Sequence, residues 1–215
     1  VNKGRPSYLS NQAPRTFAPK PGYALKFWQS RYLRPREVDL ADVIGRRATW
    51  YYSTPLPTVN SATLLGDARR LSTDWPHGRV DTIITSPPYW QMRTYRPDQW
   101  LRLWFLGGAD DVEYTDPAAL GSGNARFFAE DLQKAWRQTA SVSCDDAVMV
   151  VRFGAIPSAQ VDADELFRSS LAGSGWTIVH TANAGDPRKG KRQSEHFGSR
   201  RSKPVEEIDF FCRRG

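Results

Sequence analysis

Val80-Asp81-Thr82-Ile83-Ile84-Thr85-Ser86-Pro87-Pro88-Tyr89-Trp90 is the stretch that decides how this chain folds. Its first half is β-branched and reads as a strand. The strand must stop at Ser86-Pro87-Pro88, because proline donates no backbone hydrogen bond and cannot continue a central ladder. In open α/β sheets, ligands bind beyond the carboxyl ends of the strands, so the same residues that end this strand open a candidate site.

Downstream, residues 91–125 are expected to form a long connection rich in Gly, Pro and Asp, a length that in compact domains is usually functional. Arg126 to Thr139 then reads as a helix with Phe128, Leu132, Ala135 and Trp136 on one face and Asn124 as N-cap. Ala147-Val148-Met149-Val150-Val151 is a continuous apolar run, as expected of a strand covered on both faces. Asp162 to Leu171 gives a second amphipathic helix, ended by Gly173 and Gly175. Trp176 to Val179 and Glu207 to Cys212 read as strands separated by a basic loop. Strand–helix–strand–helix–strand implies an α/β fold with a mostly parallel sheet. The last two strands have no helix between them, so the final strand is expected to run antiparallel.

Upstream, Thr63-Leu64-Leu65 reads as a short strand closed by Gly66-Asp67. Residues 1–60 are irregular and basic, punctuated by seven prolines from Pro6 to Pro57. They leave room for helices from about Tyr23 to Arg31 and from about Val38 to Tyr52. The expected organisation is an irregular basic segment over 1–60 and a catalytic part over 61–215. The chain opens on Val1 rather than Met, the mark of a processed chain or a piece of a longer one.

Composition bounds the function. The hydrophobic content is 40%, with eight Trp and ten Phe, enough for a packed globule. No run approaches the roughly 18 apolar residues needed to span a bilayer, and there is no charged-then-apolar leader. The expectation is a cytoplasmic protein with no membrane partner. Cys144 and Cys212 lack a metal-type spacing and read as buried free thiols. His77, His180 and His196 are isolated, so no metal is expected. The net charge is +7. The basic residues cluster at Arg31, Arg34 and Arg36, at Arg46 and Arg47, at Arg188, Lys189, Lys191 and Arg192, and at Arg200, Arg201 and Lys203. Such clusters are the footprint expected for a polyanion, or are ordinary solvated surface.

Ser86-Pro87-Pro88-Tyr89 suits one chemical problem. An exocyclic amino group on a nucleobase is a poor nucleophile, because its lone pair is delocalised into the ring. A site that alkylates it must draw the nitrogen toward tetrahedral geometry with acceptors fixed beforehand. Two prolines lock the backbone and remove competing donors, leaving carbonyls to accept from an NH2 group. Ser86 offers a further acceptor, and Tyr89 offers a ring on which a flat base can stack. In a duplex the target atom is hidden, so the base would have to be flipped out.

These residues resemble the [Asp/Asn/Ser]-Pro-Pro-[Tyr/Phe/Trp] motif of S-adenosylmethionine-dependent DNA amino-methyltransferases, which act on cytosine N4 or adenine N6. The resemblance implies that Ser86, Pro87, Pro88 and Tyr89 form the catalytic motif. Ser86 and the Pro87 carbonyl would bind the target amino group, and Tyr89 would stack on the flipped base. A Ser start is commoner in the cytosine-N4 branch. Gly66-Asp67-Ala68-Arg69 and Val80-Asp81 match the family's approach to the motif and imply that Asp67 contacts the cofactor. Over residues 61 to 215 the resemblance implies a partial Rossmann-like class I methyltransferase sheet, mostly parallel with an antiparallel last strand.

One part of that pattern is missing. The family needs a glycine-rich turn after its first strand and an acid ending the next. Gly121-Ser122-Gly123 opens a helix with no good strand before it. Phe153-Gly154-Ala155-Ile156-Pro157 follows a strand but lacks a second glycine, and the next strand ends in His180-Thr181. The cofactor half is therefore expected upstream of Val1 or on a second chain. DNA is the expected partner, with Trp90, Arg93, Lys191 and Arg192 as candidate substrate contacts. Two alternatives remain: transfer to RNA or to a protein glutamine amide, which pose the same chemical problem, and a non-catalytic or truncated nucleic-acid-binding fragment.

Overall fold

The computed structural model describes residues 21–34, 37–55, 57–91, 95–115, 119–121, 123–155, 159–185 and 207–215. The chain divides into two compact units, one of residues 1–63 and 93–116, the other of 64–92 and 117–215.

Among its described residues the first unit holds three helices: α1 (Pro21–Ser30), α2 (Leu40–Tyr51) and α4 (Tyr95–Phe105). Asp39 caps α2 by accepting from the amides of Ala41 and Asp42, which satisfies two of the four unpaired donors at a helix start. Near the other end of α2, Arg47 donates to the Tyr51 hydroxyl at 2.7 Å and lies over the Trp50 and Tyr51 rings. Helix α4 corrects the expectation of an irregular 91–125 connection. Pro97 occupies its first turn, where a missing amide hydrogen costs no helical bond, so proline content was a poor reason to read the segment as loop.

The second unit holds a 3₁₀ turn (Ala68–Arg70), α3 (Leu71–Asp74), β1 (Val80–Thr85), α5 (Ala125–Ser141), β2 (Ser143–Gly154), α6 (Ala163–Leu171), β3 (Trp176–Gly185) and β4 (Glu207–Arg214). The sheet order is β1-β2-β4-β3. β1 pairs parallel with β2, whereas β4 is antiparallel to both β2 and β3. Three strands thus share one direction and the last runs against them, the arrangement expected of this α/β fold. Leu64 and Leu65 form no strand: Leu65 is fully exposed, and a short apolar run without a ladder partner gains nothing by extending.

The helices cover one face of this sheet. Asn124 accepts from the Arg126 amide to start α5, and Asp162 accepts from the Asp164 and Glu165 amides to start α6. Phe128, Leu132 and Trp136 from α5 and Leu166 and Phe167 from α6 are buried with Met149, Val151 and Phe153 of β2 and Phe210 and Cys212 of β4. Phe167 lies at the centre, its ring 4.1 Å from Phe210, 5.6 Å from Phe153 and 5.9 Å from Trp136. The intervening β2 residues Val148 and Val150 are only half-buried and Arg152 is exposed. β2 therefore alternates, instead of being enclosed on both faces as its apolar sequence suggested. No helix among the described residues is long and apolar enough to cross a membrane.

Candidate active site

The proline-locked run lies where β1 leaves the sheet. Strand pairing proceeds to Thr85↔Val151 and resumes only at an isolated parallel bridge between Trp90 and Ala155. Between these two points β1's side carries four residues, 86–89, and β2's side three, 152–154. The extra residue and the two prolines hold the segment outside the ladder. Ser86 and Pro88 are exposed, Pro87 and Tyr89 half-buried.

Trp90, a candidate substrate contact, is 4% exposed, and its ring lies 5.4 Å from Phe128 inside the core. It anchors the end of the run to α5 and presents no face to solvent. Arg93, Lys191 and Arg192 lie outside the described residues.

Tyr89 is held at two points. Its phenol donates to the Glu207 carboxylate, and its ring meets Phe153 edge-on, at 6.4 Å and 83°. Burial is the main reason its pKa is pushed well above that of an ordinary tyrosine, reinforced by the hydrogen bond to Glu207 and that carboxylate's charge. Tyr89 therefore stays a neutral donor. Beside it, Arg152 makes two 2.8 Å hydrogen bonds to Asp209, its cross-strand partner. The Arg152 guanidinium holds Asp209 below the usual carboxylate range, against the opposing effect of burial.

Glu207 went unnoticed in the sequence, where it merely opened the last strand. Topology supplies the missing signal. An antiparallel strand begins at the end of the sheet where its parallel neighbours finish, so an acid at its first position arrives beside the residues that end β1.

Asp67 occupies a different setting. It caps the 3₁₀ turn by accepting from the Arg69 amide, and both carboxylate oxygens also accept from the Arg69 guanidinium at 2.8–3.1 Å. The Arg69 hydrogen bonds bring its pKa down to about 2. Arg69 in turn reaches Asp131 on α5, which also accepts from the Gly121 amide and from Lys134. This network fastens the Gly66–Arg70 segment to α5. A cofactor contact by Asp67 would require an oxygen already engaged by Arg69. A carboxylate has about four acceptor positions, so such a shared contact stays open to Asp67; no glycine-rich strand–turn–helix is present among the described residues.

Cys212 is buried, its thiol pushed up to about 11 by that burial, and Cys144 is half-buried; both are free. Among the described residues no group of three or more His, Cys, Asp or Glu is placed to hold a metal. A cavity of about 410 Å³ lies between α5 and α6, lined by Ala125, Ala129, Glu130, Val161 and Leu166 among others, and does not include the Ser86–Tyr89 run.

A scan of family models and a search of curated protein sequences gave no match. Among solved structures, the chain is similar to a protein of Thermus thermophilus described as a candidate DNA modification methylase. The TM-score is 0.40 and the identity 15%, over 70% of this chain and 52% of that one. The same protein complexed with S-adenosyl-L-methionine matches at TM-score 0.40 and 16% identity, over 70% and 54% of the two chains. TrmN from Thermus thermophilus matches at 0.37 and 13%, over 93% and 42%. The chain spans about half the length of these structures.

Proposed function

We propose that this chain carries the target-base part of an S-adenosylmethionine-dependent DNA amino-methyltransferase, acting on cytosine N4 or adenine N6. The observation that carries the reading is the position of Ser86-Pro87-Pro88-Tyr89: outside the ladder, at the carboxyl end of β1, with Tyr89 tied to Glu207 through its hydroxyl and in T-shaped contact with Phe153. The Ser86 hydroxyl and the Pro87 carbonyl accept from the extruded base's amino group, and Tyr89 stacks on its ring. A segment or second chain beyond the residues described completes the methyl-donor site, because no glycine-rich strand–turn–helix lies among the described residues.

The test is transfer of labelled methyl to duplex DNA by the full chain, with S-adenosylmethionine supplied far above micromolar concentration so that weak donor binding does not limit it. Ser86→Ala and Tyr89→Ala are each expected to lower turnover about a hundredfold, the scale at which a preorganised acceptor contributes. Turnover unchanged in both variants removes the site. The lack of a glycine-rich strand–turn–helix among the described residues favours one second reading, a nucleic-acid-binding module that transfers nothing. A chain that binds DNA through Tyr89 yet transfers no methyl group supports that reading instead.

A further inference from the structure

We infer that Glu207 is a positioning residue for Tyr89, fixing the phenol so that the ring meets a flat nucleobase in one orientation; this rests on the base-platform reading above. The two residues are 118 apart in sequence, brought together only because β4 inserts beside β2. In the ladder Glu207 faces Gly154 on β2 and Gly185 on β3, so neither cross-strand neighbour carries a side chain. Glu207 is 9% exposed, a setting in which carboxylates are rare unless paired. Among the described residues its hydrogen-bond partner is the Tyr89 hydroxyl. Arg152, which feels the Glu207 charge, is committed to Asp209 through two 2.8 Å hydrogen bonds.

With the Phe153 ring set nearly perpendicular to it and Glu207 at its hydroxyl, the ring loses freedom to swing about its χ1 and χ2 bonds. A platform ordered before the ligand arrives spares binding the cost of ordering it afterwards.

The probe is a single-stranded oligonucleotide carrying one 2-aminopurine, whose emission reports stacking, titrated with the full chain. Tyr89→Ala is expected to abolish the emission change. Tyr89→Phe keeps the ring and removes only the hydroxyl. This variant and Glu207→Ala are each expected to weaken binding about five- to tenfold, with a smaller emission change at saturation, the scale of one hydrogen bond. Combining Tyr89→Phe with Glu207→Ala should weaken binding no further than either alone, because both remove the same contact. Glu207→Gln, which keeps an acceptor, should recover affinity to within about twofold of wild type. A role confined to stability would lower the folded fraction and hence the signal amplitude, leaving the affinity of the folded molecules untouched.

If Tyr89→Ala stacks the probe as wild type does, the base platform itself is wrong. If Tyr89→Ala fails but Tyr89→Phe and Glu207→Ala bind normally, the platform stands and the role of Glu207 is overturned. Glu207→Gln as weak as Glu207→Ala overturns it too. Should Glu207→Ala not fold, Tyr89→Phe alone decides, and an unchanged affinity there refutes the inference.

Discussion

Tyr89 and Asp67 are both acids tied to a neighbour, with opposite consequences for their protons. Tyr89 donates to a carboxylate from a half-buried position and keeps its proton; Asp67 accepts from Arg69 and gives its proton up readily. Folding lowers the Asp67 pKa from 3.8 to about 2, so the folded chain binds fewer protons there than the unfolded chain. The stability this contributes is complete above about pH 4 and is lost as the pH falls toward 2. Circular dichroism followed down that range should show a shallower loss of stability in Asp67→Asn than in wild type; superimposable acid limbs would dismiss the ion pair. A second expectation concerns the cofactor. Because the described residues hold no glycine-rich strand–turn–helix, calorimetry on the isolated chain should detect no micromolar affinity for S-adenosylmethionine, and a micromolar constant would contradict the assignment of that site to other residues. The sequence made the Ser86–Tyr89 run legible because its four residues are contiguous. It hid Glu207 and the Asp67–Arg69–Asp131 network because those depend on partners as many as 118 residues away.

Helix α5 begins on the cap that the sequence marked, Asn124, and α6 on Asp162, which the sequence read as the helix's first residue; a cap acts on amides two and three residues on and needs no tertiary context. Asp162→Ala is expected to cost about 1 kcal/mol in urea denaturation. Phe167→Ala, which empties the centre of the aromatic cluster, should cost about 3–5 kcal/mol; a loss near that of the cap variant would mean the core is looser than its contacts indicate. Gly121 is needed for a local reason. Its φ is +27°, and a Cβ there would come within 2.2 Å of the Phe128 amide nitrogen, so Gly121→Ala should destabilise the start of α5. Pairing is what the sequence left unwritten. Thr63-Leu64-Leu65 has a strand's composition but no strand beside it, and Tyr95–Phe105 has a proline yet is helical because Pro97 falls in the first turn.

At the scale of the whole molecule, the direction of β4 was legible from the missing crossover helix, but its place in the sheet was not, since hydrophobic pattern carries no information on strand order. β4 separates β2 from β3, and among the described residues β3 joins the sheet only through it. Amide hydrogen exchange is therefore expected to be slowest along β2 and β4, which are paired on both sides, and faster along the edge strands β1 and β3; equal protection across all four strands would contradict the order. Removing residues 207–215 should unfold β3 along with the lost strand, read as a fall in far-ultraviolet ellipticity beyond that of eight strand residues. The same insertion sets a timetable for synthesis. On the ribosome Trp176 to Gly185 emerge before Glu207, and at translation speeds of about 5–20 residues per second they wait some seconds for the strand that will hold them. Until then the nascent polypeptide carries an unpaired β edge, and factors that shield such edges would find their substrate in that interval.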